Sequence, residues 1–280
     1  MHKYCILNGE IELTSNASIG LSDLALLRGY GIFDFLPVEK GIPMFLEDYM
    51  DRFIKSSKRM KIPMPFSKDK IQSFIQSLIK LNKIEYGNVR LVLTGGYSEN
   101  GFTPSGTPNF FIMTSNIVTY PPTFYENGVK LITINYKRDY PEIKSLNYVK
   151  VLLERDHLES SKALDVLFVH NDIISESSRS NFFIVTDDDK IITPKTYVLE
   201  GVTRKNVIKL AKINYELEIR DISSQEAFEA KEAFITSSTK GIMPVTKIDN
   251  QTIGTGMPGN TTKKLTALLS TFKTDYILSC

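Results

Sequence analysis

The 280-residue chain carries 34 Lys and Arg against 32 Asp and Glu, a formal charge of +2, and 42% of its residues are hydrophobic. Such a composition excludes a disordered chain, and the near-balance of charge gives no nucleic-acid or membrane-surface signal. The length suits two domains of ordinary size; with only Cys5 and Cys280 there is no disulfide framework, so the cytoplasm is the expected location.

The first element is a hairpin over residues 4–13, turning at Asn8-Gly9. Ser22-Asp23 then offers a helix cap before Leu24, Leu26 and Leu27, and Gly29 and Gly31 mark a bend into a strand over residues 32–38. Leu46, Tyr49, Met50, Phe53, Ile54 and Met60 recur at helical spacing. A second helix opens at Ser67 with Ile71, Phe74, Ile75, Leu78 and Ile79 on one face. Val89, Leu91 and Leu93 alternate with Arg90, Val92 and Thr94, which predicts a half-buried strand, and residues 109–113 form another. The stretch 115–128, with Pro121-Pro122 inside, is the best linker in the chain, so the expected division is 1–118, a linker over 119–128, and 129–280.

Beyond it, residues 129–136 read as a strand, 147–161 as a helix, and 166–169, 181–186 and 190–193 as strands. Thr203 opens a helix carrying Val207, Ile208, Leu210 and Ala211. A strand over 217–222, a short helix capped by Ser224, a strand over 233–236 and an amphipathic helix over 261–272 complete the chain. The pattern is mixed α/β (α+β) in two strand-rich domains.

No metal motif is present: His2, His157 and His170 are scattered without ligand spacing. Neither a nucleophile elbow nor a Walker or dinucleotide loop follows a strand. The chemistry lies instead in coordinated segments: Glu142-Ile143-Lys144-Ser145-Leu146-Asn147-Tyr148, then Ser175-Glu176-Ser177-Ser178-Arg179-Ser180-Asn181, then Leu199-Glu200-Gly201-Val202-Thr203-Arg204, then Thr236-Ser237-Ser238-Thr239-Lys240-Gly241. In order and spacing these resemble the fold type IV pyridoxal 5′-phosphate (PLP) enzymes, the class IV aminotransferases. The resemblance covers nearly the whole chain and implies a small N-terminal α/β domain and a larger C-terminal PLP-binding domain.

The resemblance also implies roles. Lys144 matches the Schiff-base lysine, the one catalytic residue expected, since desolvation makes its amine a nucleophile and a proton shuttle. Glu176 matches the carboxylate on the pyridine nitrogen, and Tyr148 the tyrosine on the phenolate oxygen. Gly201, Val202 and Thr203 open a helix and, with Ser238, Thr239 and Arg52, would form the phosphate cup. Arg179 stands where the wider family mostly carries small or acidic residues, a cofactor-side position that would adjust the Glu176 environment.

Members differ in how they hold the substrate carboxylate. Here Phe33 replaces the tyrosine of familiar D-amino acid transaminases, and the loop over residues 94–102 lacks their arginine–histidine pair. The strings around Arg28 and Arg90 resemble instead a non-standard bacterial group of D-amino acid transaminases, in which two arginines bind the carboxylate and the first comes from the neighbouring subunit. This implies a homodimer acting on amino and 2-oxo acids. The Lys240–Val245 string also has some similarity to aminodeoxychorismate lyase, so a lyase and a branched-chain L-amino acid aminotransferase stay open.

Overall fold

Asn8 and Gly9 take φ of 51° and 94°, the left-handed pair that a two-residue hairpin requires, and join β1 (Tyr4–Leu7) to β2 (Glu10–Leu13). In the computed structural model, which describes residues 1–280, this hairpin belongs to the first of two units: Met1–Val118, Ile143–Asn147 and Thr274–Cys280. Asp23 caps α1 (Leu24–Arg28) by accepting from the Ala25 amide. β3 (Gly31–Glu39), β4 (Ile42–Pro43), α2 (Leu46–Met60), α3 (Lys68–Leu81), β5 (Tyr86–Thr94) and β6 (Phe110–Asn116) follow. Ser67 caps α3 through the Lys70 amide. The sheet order is β2-β1-β6-β5-β3-β4. Because β5 lies between two strands deep in the sheet, Val92 is buried along with Val89, Leu91 and Leu93, so both of its faces are covered where alternation predicted one.

The second unit is Thr119–Glu142 and Tyr148–Lys273. It comprises α4 (Pro122–Asn127), β7 (Val129–Asn135), α5 (Val149–Leu153), α6 (Arg155–Ser160), β8 (Asp165–His170), β9 (Ile173–Ser177), β10 (Ser180–Val185), β11 (Ile191–Thr193) and α7 (Val202–Asn214). Then come β12 (Leu217–Ile219), β13 (Ile222–Ser223), α8 (Ser224–Phe228), β14 (Glu232–Ser237), β15 (Gly241–Ile248), β16 (Gln251–Thr252) and α9 (Asn260–Ser279), whose last residues belong to the first unit. The single helix read over 147–161 is broken at Glu154, where an i→i+3 bond to Val151 tightens the turn. Ser223, not Ser224, caps α8.

The sheet runs β12-β11-β10-β14-β15-β7-β8-β9-β13, and β9 also pairs with β10. That extra pairing joins β10, β14, β15, β7, β8 and β9 into a closed barrel. Leu131, Leu167, Phe182, Ile184, Ile235, Met243 and Val245 fill its interior. Outside, Phe183, Phe234 and Ile242 pack with Val207 and Leu210 of α7 and Leu265 of α9. Ile132, Ile134, Val166 and Phe168 pack with Val151 of α5 and Leu158 of α6. Glu232 anchors α9 by accepting from the Thr261 and Thr262 amides at 3.0 and 2.8 Å. No helix is long and apolar enough to cross a membrane.

Candidate active site

In the first unit, the segment bearing Lys144 lies along the start of β3: the Lys144 carbonyl accepts from the Phe33 amide at 2.9 Å, and Leu146 N–H donates to Gly31 O at 3.1 Å. The half-buried Lys144 side chain places Nζ 4.6 Å from the Phe33 ring centroid. Arg90, opposite Phe35 in the β3–β5 register, lies 5.3 Å from the same Phe33 ring and 5.0 Å from that of Phe35. An amine and a guanidinium therefore share one aromatic wall, whose ring face attracts both cations. Arg52 is placed differently. Its Nε and Nη2 donate to Asp34 at 2.9 and 2.6 Å, and Asp34 is wholly buried. Asp34 was not singled out in the sequence, where it reads as one polar residue in a strand. Arg28 ends α1 exposed, donating to the Leu27 carbonyl, among the exposed Leu21, Leu26, Leu27 and Phe102.

In the second unit, a register shift re-aims Glu176. Leu167 faces Ser177 across the β8–β9 pair whereas Val169 faces Ile174, so three steps along β9 match two along β8. This bulge keeps Ile174 and Ser177 on the interior side and turns Glu176 to the outside of the barrel. There Oε1 accepts from Arg138 Nε at 2.8 Å, and Oε2 accepts from the Leu199 amide at 2.9 Å and from Asn181 Nδ2 at 3.2 Å. The Asn181 amide also donates to Leu199 O. Gly201 makes this bridge possible, because a Cβ there would lie 2.0 Å from Asn181 Oδ1.

Gly201 is also the N-cap of α7, and no side chain caps that end. The amides of the first turn, Val202 and Thr203 among them, thus face an anion-binding position. Arg204 lies buried in the same turn, its Nε donating to Thr193 Oγ1 and Nη2 to Pro194 O. Burial pushes its pKa down, and Glu176 and Glu200 oppose that shift. Across the β10–β14 register from Asn181, the buried Thr236 hydroxyl has no partner, just ahead of the turn bearing Ser238 and Thr239. A buried carboxylate with fixed donors, an uncapped helix start and an unpaired hydroxyl fit the pyridine and phosphate ends of PLP. Tyr148 is half-buried at the head of α5, and Arg179 stands exposed on the β9–β10 turn. The arginine on Glu176 is Arg138, which the sequence hides inside the charged string Lys137-Arg138-Asp139.

Residues 31–248 match the family model described as amino-transferase class IV. The chain belongs to that family. It is 28% identical to the D-alanine aminotransferase of Bacillus licheniformis, over 94% of this chain and 95% of that one. It is 30% identical to a Methanocaldococcus jannaschii protein assigned as a branched-chain-amino-acid aminotransferase, over 96% of both. In fold it matches a T.th. branched-chain amino acid aminotransferase crystallised with pyridoxamine 5′-phosphate, at a TM-score of 0.91 and 22% identity over 99% and 95% of the two chains. A 4-amino-4-deoxychorismate lyase from Pseudomonas aeruginosa shares the fold at a TM-score of 0.83 and 24% identity, over 95% and 98%. The chain is thus a PLP-dependent class IV aminotransferase with the fold type IV architecture.

Proposed function

We propose that this aminotransferase moves the amino group of a D-amino acid, of the D-alanine or D-glutamate type, to a 2-oxo acid. The observation that carries the reading is the shared Phe33 wall: a carboxylate taken by Arg90 brings the adjoining α-carbon toward Lys144 Nζ. The similarity to D-alanine aminotransferases supports the D configuration.

PLP supplies the electron sink for the pair left at the α-carbon. Lys144 Nζ carries the cofactor and moves the proton at the substrate α-carbon. Glu176, held by Arg138, Asn181 and the Leu199 amide, keeps a proton on the pyridine nitrogen. The α7 amides at Val202 and Thr203, with Ser238, Thr239 and Arg52, take the phosphate, and Tyr148 serves the phenolate oxygen. Arg28 reaches the neighbouring subunit of a homodimer and completes the carboxylate clamp; the exposed Leu21, Leu26, Leu27 and Phe102 around it supply apolar area for that contact. Arg179 acts from the rim of the Glu176 turn.

Rapid mixing of the holoenzyme with D-alanine, D-glutamate or L-leucine, followed by cofactor absorbance, tests the assignment. The D-isomers are expected to bleach the resting spectrum in a single turnover. Bleaching by L-leucine alone would overturn the D-specific reading in favour of a branched-chain enzyme. Pyruvate release from aminodeoxychorismate with no amino exchange between D-alanine and 2-oxoglutarate would make it a lyase.

A further inference from the structure

Behind the face bearing Glu176 and Asn181, the barrel interior ends in a polar plug that the proposed chemistry leaves unused. Lys240 is only 3% exposed, and its Nζ donates to Ser180 Oγ at 3.2 Å while lying 5.4 Å from the Tyr120 ring centroid. Tyr125 donates its hydroxyl to the Lys240 carbonyl, and the Lys240 amide donates to Ser237 Oγ. Asp165, 1% exposed, accepts from Ser178 through Oδ1, while Oδ2 has no partner; the buried Ser177 hydroxyl also has none.

The parity of the strands shows what this plug holds. Ser177 and Ser180 pair with each other, as do their neighbours Glu176 and Asn181. Alternation along the strands sends the serines inward and Glu176 and Asn181 outward. Lys240 reaches the inward serine from the turn that contains Ser238 and Thr239. One ammonium thus ties the strand pair under Glu176 to the turn after β14. Burial pushes its pKa down, with Asp165 the leading opposing influence and exposed Arg179 adding to the depression. A solvated surface lysine would make none of these contacts, and burying an ammonium is costly unless it is paired and hydrogen-bonded.

We propose that Lys240 is a positioning residue for the cofactor, acting with Asp165 from inside the barrel to fix the Ser238–Thr239 turn against the Glu176–Asn181 pair. The inference rests on the assignment of Ser238, Thr239 and Glu176 to the cofactor, and it extends that assignment to groups that never touch it.

The test is the rate of PLP release from the holoenzyme into an apoenzyme trap, with the phosphorus NMR signal of the bound phosphate and thermal unfolding measured on the same samples. Lys240→Met is expected to release PLP about tenfold faster or more, the scale of one or two lost hydrogen bonds at an anion, and to broaden or shift the phosphorus signal. Asp165→Asn is expected to act in the same direction. The double variant should fall short of the sum of the two effects, because both act through one cluster. Asp165→Asn also keeps the test decisive should Lys240→Met fail to fold. Lower melting temperatures with unchanged release and phosphorus signal would make the plug merely structural and overturn the proposal. Thr239→Ala separates the underlying assignment: if it leaves both readouts unchanged, the phosphate role of that turn is wrong. If Thr239→Ala acts and neither plug variant does, the assignment stands and the Lys240 inference falls.

Discussion

The two units set the charges of the candidate site against different neighbours. In the first, cations rest on rings: Lys144 and Arg90 on Phe33, Arg90 also on Phe35, and Arg52 5.2 Å from Tyr49. In the second, one carboxylate is fixed by three donors from separate segments, Arg138, Asn181 and Leu199. A ring face attracts a cation over a broad surface, whereas a carboxylate held by several donors is fixed in its direction. The first arrangement suits groups that must meet a substrate's charge and move a proton. The second suits a group whose orientation must never vary. Asp34–Arg52 marks the limit of the contrast, since in the first unit it is a buried, doubly hydrogen-bonded pair.

Breaking each side of this comparison should give distinct signatures. The largest effect is expected for Lys144→Ala, which removes the proton-moving amine: steady-state turnover should fall by about 10³-fold or more with little change in melting temperature. Arg138→Leu strips the cation from a buried carboxylate and should cost about 3 kcal/mol of stability in denaturant unfolding. Arg90→Leu removes the cation–ring contacts to Phe33 and Phe35, and its stability cost is expected to be about 1 kcal/mol. Its KM for both amino acid and oxo acid should rise about tenfold or more, with cofactor affinity unchanged. If Arg90→Leu destabilised the fold as much as Arg138→Leu, the distinction between the two arrangements would fail.

The smallest effect concerns Glu226, whose carboxyl is held below the ordinary range chiefly by its hydrogen bond to Arg220. A lowered folded-state pKa adds stability above the unfolded value, and that stability is lost as pH falls through the folded value. The pair is partly solvated, so Glu226→Gln should cost under about 1 kcal/mol at pH 7 in urea unfolding, and the difference should close as the solution is acidified.

Elements whose burial follows a simple period were legible in the sequence. The 4–13 hairpin follows from Asn8-Gly9, and α2, α3 and α7 from helical spacing; alternation located β5 but not the burial of both its faces. Among the strands that were not legible are β9, which carries Glu176, and β15. β9 reads Ile-Ile-Ser-Glu-Ser, and its polar residues are buried because the bulge and the β10 pairing satisfy them. β15 contains Pro244, which argues against an inner strand, yet it pairs with β14 on one side and β7 on the other. Lys144, Glu176 and Gly201 could be singled out by motif. Arg138, Arg204 and Lys240 could not, because a charged residue in a charged or polar string looks solvated until the fold supplies its partner, and Asp34, alone among Ile32, Phe33, Phe35 and Leu36, carries no local sign of Arg52. Local spacing records which face a residue takes. It does not record which distant strand will meet that face.

Every role proposed for the site depends on Lys144 carrying the cofactor. Borohydride reduction of the holoenzyme, followed by proteolysis and mass spectrometry, measures this directly. The pyridoxyl mass is expected on the peptide containing Lys144 and on no other. Its appearance on a different lysine, buried Lys240 included, would contradict the central assignment.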